Sequence, residues 1–259
     1  MTDCDLKDSG ILVTRAAHQA DALAQLIQAR RGRAVLLPAI EIQAARDAAG
    51  AKALLGQVWD WIIFVSPNAV RYALQMAPQK AWQAGGVGAV GASTAQLLQQ
   101  AGRMVDLLPS QGYDSEGLLS LAELAELRDQ TVLIVRGEGG RALLGDTLEA
   151  RGAKVRYAEV YRRVRPDTPV TPLLQNWKRD IQLVTATSSE VMKNLVAMLG
   201  EKGWAMLSQT PLIVISERMQ HEAERLGFDK IIRASGADDR SLLTAICAWA
   251  DENDRSGQR

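Results

Sequence analysis

Apolar residues fall along this chain in two alternating registers. Short unbroken runs mark buried strands: Ile11-Leu12-Val13-Thr14, Ala34-Val35-Leu36-Leu37, Trp61-Ile62-Ile63-Phe64-Val65, Val87 to Val90, Met104 to Leu108 and Thr131-Val132-Leu133-Ile134-Val135. Between them, apolar positions recur at helical spacing. Leu23, Leu26 and Ile27 mark a helix over residues 20–30, a second follows Pro67, a third covers residues 93–101, and a fourth runs from Ser115 to about Arg128. Asp238-Asp239 opens a last helix. Strands alternating with helices predict parallel α/β sheets.

The pattern also repeats. Ile11 to Arg15 resembles Val132 to Arg136, Trp61 to Ser66 resembles Ile181 to Ala186, GGVGAVGASTAQLLQQAG resembles PLIVISERMQHEAERLG, and YDSEGLLSLAELA resembles ADDRSLLTAICAWA. The pairs keep one order and a near-constant offset, the signature of an internal duplication. Each half carries an extended stretch after its second strand, Ala39 to Ile42 and Tyr157 to Tyr161. These are the expected crossings between two domains.

The stretch Gly85 to Ala95, GGVGAVGASTA, contains a G-x-G-x-x-G at Gly86, Gly88 and Gly91, and Asp106 follows where an acid would meet a ribose. A dinucleotide loop places its glycines after a strand and before a helix. Here Lys80 to Ala84 read as helix and the strand Val87 to Val90 lies inside the motif, so Gly91 alone falls at a strand-to-helix turn, with Ser93 or Thr94 capping the helix that follows. The repeat partner Leu212 to Ser216 has no such glycines. A nicotinamide-dependent oxidoreductase is therefore the second reading, and a non-catalytic two-lobed anion-binding module the third.

A broader pattern is that strands end in hydroxyl or basic residues at helix starts: Thr14-Arg15, Ser66-Pro67-Asn68, Ser93-Thr94, Arg136-Gly137, Thr187-Ser188-Ser189 and Ser216-Glu217-Arg218. In open α/β sheets ligands bind beyond the carboxyl ends of strands, where helix N-termini offer free N–H groups. Helix capping explains any one of these ends; their number favours a cleft for a polyanion.

Composition narrows the partners. The 259 residues, 47% hydrophobic and 23% charged, supply ample core. Thirty basic and thirty acidic residues leave no excess charge for nucleic acid or a membrane surface. No apolar run is long enough to span a bilayer and no signal-peptide pattern opens the chain, which predicts a cytoplasmic location. Cys4 and Cys247, far apart in sequence, are then expected to be inert thiols. His18 and His221 lack neighbours at ligand spacing, so no metal is expected. Arg136-Gly137-Glu138-Gly139-Gly140-Arg141 lacks the Lys-Ser/Thr of a P-loop.

Several stretches together resemble one family, uroporphyrinogen-III synthase: the opening ILVTRAAHQADALAQLIQARRGRAVLLPAIEI, IIFVSPNAV, AVGASTA, GYDSEGLL, RGEGGRALLGDTLEARGAKVRYAEVYRR and VISERM. The resemblance spans essentially the whole chain. It implies two similar parallel-sheet α/β domains, residues 1–38 with 167–259 and residues 45–153, joined by linker strands 39–44 and 154–166, with the active site in the interdomain cleft. It implies a cofactor-free cyclising lyase that converts hydroxymethylbilane, a linear tetrapyrrole with eight carboxylates, to uroporphyrinogen III, losing water and inverting ring D. It implies a monomer whose one partner beyond the substrate is the upstream bilane-forming enzyme. Tyr161 of the VYRR motif matches the family's tyrosine that assists loss of the hydroxyl; on the residues alone it reads equally as a packed linker tyrosine. Ser66 and Thr94 match positions lining the cleft, and Asn68 stands where other members carry arginine. Ser115 of GYDSEGLL joins the substrate-binding candidates. Arg15, Arg136 and Arg218 read either as carboxylate partners or as structural ion pairs. Ser216 stands where some relatives have Gly-Pro-Thr-Thr, and Thr187 and Ser189 keep hydroxyls in place of Ser-Pro-Ser.

Overall fold

A computed structural model describes residues 4–112 and 114–257. The chain divides into two compact units: Met1–Glu41 with Val164–Arg259, and Ile42–Arg163. Each is built on its own five-stranded sheet.

The first unit contains β1 (Gly10–Val13), α1 (Ala17–Gln28) and β2 (Arg33–Leu36), then α7 (Thr171–Asp180), β8 (Leu183–Thr185), α8 (Ser189–Leu207), β9 (Leu212–Val214), α9 (Glu217–Leu226), β10 (Ile231–Arg233) and α10 (Asp239–Gly257). Its strand order is β10-β9-β8-β1-β2, with neighbouring strands parallel. The strands are too short to alternate usefully, and β1, β8 and β9 are buried along their whole length. Such strands, covered on both faces, need the continuous apolar runs seen in the sequence. Leu23 and Ile27 of α1 meet Leu242, Ile246 and Trp249 of α10 over one face of the sheet. Gly227 ends α9 in a left-handed conformation, φ 93°, which glycine adopts without steric cost.

The second unit contains β3 (Glu41–Ala44), α2 (Ala48–Leu55), β4 (Val58–Phe64), α3 (Pro67–Met76), β5 (Gln83–Ala89), α4 (Ala92–Gln100), α5 (Ser115–Leu119), β6 (Thr131–Gly137), α6 (Leu143–Ala150) and β7 (Lys154–Val164). Its strand order is β3-β7-β6-β4-β5. Residues 39–44 and 154–166, expected as linker strands, thus contribute β3 and β7, which neighbour each other and complete this sheet.

The structure departs from the sequence pattern at four places. Lys80 to Ala84 form no α-helix: a single 3₁₀ turn covers Gln79–Ala81, Trp82 turns into the core at 1% exposure, and β5 begins at Gln83. Met104 to Leu108 form no strand; one bridge, Gly88 to Leu107, is all that pairs, and Met104 is 80% exposed. The helix from Ser115 stops at Leu119, and a 3₁₀ turn follows at Ala122–Leu124. Leu118 and Leu127 would lie on opposite sides of one straight helix, and the break lets both join the same core. Finally, Cys4 and Cys247 are not free thiols but form a disulfide, with Cα atoms 5.6 Å apart. Sequence separation concealed that the segment before β1 runs beside α10.

Candidate functional site

The second unit holds its most distinctive group of side chains around Tyr161. Pairing between β6 and β7 is regular up to Arg136 and Glu159, then shifts so that Gly137 faces Tyr161. The extra residue, Val160, makes a β-bulge, and a bulge re-aims the side chain beyond it. Val160 and Tyr161 consequently point into the same core, with Phe64, Val135 and Ala158. Regular pleating would have sent Tyr161 to the other face with Tyr157.

Four residues fix the ring and its hydroxyl. Gly137 lies flat beneath it: a Cβ there would stand 2.6 Å from Cε2 and Cζ of Tyr161. Tyr72 of α3 packs beside it at 5.9 Å between centroids, its own hydroxyl donating to the Ile42 carbonyl at 2.6 Å. The Tyr161 hydroxyl sits 3.2 Å from Ser66 Oγ and accepts from Arg163 Nη2 at 3.3 Å. Ser66 is the N-cap of α3, its Oγ accepting from Ala69 N–H at 3.1 Å. Tyr161 is 2% exposed. Arg163 escaped the sequence reading, although a strand places residues i and i+2 on one face and VYRR therefore pairs Tyr161 with Arg163.

The other candidates in this unit cluster at the ends of neighbouring strands β6, β4 and β5. Asn68 lies in the first turn of α3 and accepts from Arg71 at 3.4 Å. Thr94 is buried in the first turn of α4, but the cap of that helix is Gly91, with no side-chain cap from Ser93 or Thr94. Ser115 opens α5, whose cap is Asp114, accepting from Gly117 N–H at 2.7 Å; Tyr113 of the same stretch lies outside the described residues. Arg136 is engaged within the protein: it pairs with Glu159 at 3.0 Å, donates to the Gly140 carbonyl at 3.2 Å, and lies over the Tyr157 ring at 3.9 Å. Burial raises the Tyr157 pKa, and the Arg136 charge opposes that shift in part. A cavity of about 820 Å³ runs along α2, Arg136 of β6, Glu138 just beyond it, and Tyr157 and Glu159 of β7; Tyr161 is not in its wall.

In the first unit, β9, β8 and β1 are also neighbours, and their ends carry Ser216, Thr187 and Arg15. Arg15 is 8% exposed and paired with Asp239, and it donates to the Ala237 carbonyl at 2.7 Å. With Thr187 and His18 it lines a cavity of about 570 Å³. Ser188 caps α8, accepting from Val191 N–H at 3.1 Å, and Ser189 opens that helix. Ser216 caps α9, accepting from Met219 N–H at 3.3 Å, and Arg218 is exposed in its first turn. Each hydroxyl cap leaves neighbouring helix N–H groups able to meet an anion.

The glycine motif serves the sheet. Gly85, Gly86 and Gly88 lie within β5, where a Cβ at Gly86 would strike the Trp61 ring at 2.2 Å. Asp106 accepts from the Val87 N–H at 2.8 Å, so its carboxylate holds backbone rather than a ribose. Among the described residues no group of three or more His, Cys, Asp or Glu is placed to hold a metal.

These features define a class: a duplicated parallel-sheet α/β protein with capped strand ends suited to anions and a partnered phenol in one unit. Residues 21–244 match the family model described as uroporphyrinogen-III synthase HemD. The chain is 32% identical over 246 residues to the uroporphyrinogen-III synthase of Escherichia coli K12, covering 91% of this chain and 99% of that protein. The chain belongs to the uroporphyrinogen-III synthase family. Its fold is similar to that of a mutant uroporphyrinogen III synthase of Thermus thermophilus, with TM-score 0.63 and 15% identity over 95% of this chain and 100% of that one. It is likewise similar to uroporphyrinogen-III synthetase of Helicobacter pylori, with TM-score 0.59 and 16% identity over 91% and 97% of the two chains.

Proposed function

We propose that this protein is a cyclising lyase that closes hydroxymethylbilane to uroporphyrinogen III. The observation that carries the reading is the match to the family across residues 21–244, with near-complete coverage of a relative at 32% identity. In this reaction the terminal hydroxyl leaves as water, and ring D is inverted through a spiro intermediate. The bilane also closes spontaneously without inversion, so the protein's task is to hold one folded geometry as well as to speed closure.

The residues divide this task by chemistry. Ser115, Thr187 and Ser216, with the helix N–H groups beside them, suit the substrate carboxylates, whereas the Thr94 side chain and the Ser189 hydroxyl are buried beneath those ends. Arg218 supplies an exposed cation, and Asn68 an amide. Arg15 and Arg136 act mainly by holding their strand ends, since acidic partners already occupy them. Tyr161 donates a hydrogen bond to the departing hydroxyl, with Ser66 orienting the phenol. The carboxyl-ended surfaces of the units, not a cofactor, supply the binding energy. A spontaneously reactive substrate also favours direct receipt from the enzyme that forms the bilane.

The test is cyclisation of fresh bilane in a chelator and without nicotinamide. Type III product supports a cofactor-free lyase. Dependence on added nicotinamide or metal overturns it.

A further inference from the structure

Arg163 is the one member of the Tyr161 group that is exposed. Its Nη2 donates to the Tyr161 hydroxyl at 3.3 Å, and its guanidinium carbon lies 5.6 Å from the centroid of the same ring. Among the described residues it makes no ion pair, whereas Arg15 and Arg136 are each neutralised by an acid. A guanidinium carries five N–H donors in a planar fork, and one contact to a phenol leaves most of them open. A cation placed on the oxygen of a buried phenol, with no carboxylate of its own, is a group whose anionic partner comes from outside the chain.

We infer that Arg163 both binds a carboxylate of the substrate and positions Tyr161, so that recognition of the charged side chain is coupled to the phenol. This rests on the functional reading above. The phenol oxygen has two lone pairs. When Arg163 and the Ser66 hydroxyl both donate to it, the Tyr161 proton is left as the donor for the substrate hydroxyl. A carboxylate docking on the outer N–H groups of Arg163 stiffens the guanidinium and holds that arrangement. The bulge at Val160 builds the same geometry into the backbone by turning Tyr161 and Arg163 to one side together.

The test compares Arg163→Ala, Arg163→Lys, Tyr161→Phe and the double variant Arg163→Ala/Tyr161→Phe. Affinity for uroporphyrin III, the oxidised octacarboxylate, is read by fluorescence quenching. Separately, kcat and KM for type III formation are measured. Arg163→Ala is expected to weaken uroporphyrin binding about tenfold, the scale of one charge-assisted hydrogen bond. It should raise KM similarly and lower kcat about tenfold, with an unchanged melting temperature. Arg163→Lys should recover binding more than kcat, because an ammonium keeps the charge but not the fork. In the Tyr161→Phe background the kcat loss from Arg163→Ala should vanish while the binding loss stays. Unchanged uroporphyrin affinity and turnover in Arg163→Ala overturn the inference, as do fully additive kcat losses in the double variant. Wild-type protein that yields only the type I isomer contradicts the functional reading instead; if that protein still binds uroporphyrin and Arg163→Ala abolishes the binding, the carboxylate contact stands without it.

Discussion

Ser66 Oγ stands 3.2 Å from the Tyr161 hydroxyl while accepting the Ala69 N–H at 3.1 Å. One oxygen thus ends β4, starts α3 and orients the phenol. The two roles separate by mutation. Ser66→Ala removes the cap and the phenol contact, and should cost about 1 kcal/mol of stability together with part of the type III rate. Tyr161→Phe keeps the cap and the ring, so it should slow type III formation by roughly 100-fold with a melting temperature close to wild type. Calorimetry beside product kinetics checks both; undiminished turnover in Tyr161→Phe removes the phenol from the chemistry.

Gly137 gives an orthogonal test of the same geometry. An added Cβ would meet the Tyr161 ring at 2.6 Å, closer than real side chains approach. Gly137→Ala should therefore displace the phenol and lower type III formation while leaving the sheet folded. A circular dichroism spectrum like wild type with an activity loss is the expected pair of results. Full activity would mean that the position of the ring is not critical.

The disulfide makes a prediction that composition alone reverses. Cys4 and Cys247 are the only cysteines, 243 residues apart and bonded. Alkylation of the denatured, unreduced protein should label no thiol. Reduction should lower stability by about 2–4 kcal/mol, the usual effect of closing a long loop. Two labelled thiols in the unreduced protein would contradict the bridge.

Asp60 ties the start of β6 to β4. It accepts from Thr131 N–H at 2.7 Å and from the Thr131 hydroxyl at 2.8 Å, and these bonds, the backbone one foremost, lower its pKa. A carboxylate whose folded value is depressed adds stability above its unfolded value, about 3.9, and loses it as pH falls through the folded value. Asp60→Asn should therefore be less stable than wild type at neutral pH, with the difference narrowing in acid. A constant difference from pH 7 down to the acid limb in urea titrations would exclude this linkage.

Strand and helix alternation was legible because Val132 to Val135 and Ile62 to Phe64 are covered on both sides and so read as unbroken apolar runs. Met104 to Leu108 misled for the same reason, since an apolar run does not reveal whether a neighbouring strand is there to pair. The register shift at Val160 had no sequence signal: it follows from pairing with β6, and it decides which core receives Tyr161. Tyr161 itself was found through family resemblance; Arg163 follows it at i+2 on β7, but Ser66 joined the group only once β4 and β7 were placed in one sheet. Arg15 and Arg136 could be read either as carboxylate partners or as ion pairs because their acids, Asp239 and Glu159, lie outside their own elements. Of the G-x-G-x-x-G, Gly86 and Gly88 belong to β5, where Gly86 lies against Trp61, and Gly91 caps α4.

The most direct test of the central claim is the isomer ratio. Freshly made hydroxymethylbilane is incubated with the protein, the products are oxidised, and the type I and type III porphyrins are resolved by chromatography. Type III is expected as the dominant isomer, formed faster than the spontaneous type I background. Type I product alone, at the uncatalysed rate and from folded protein, would contradict it.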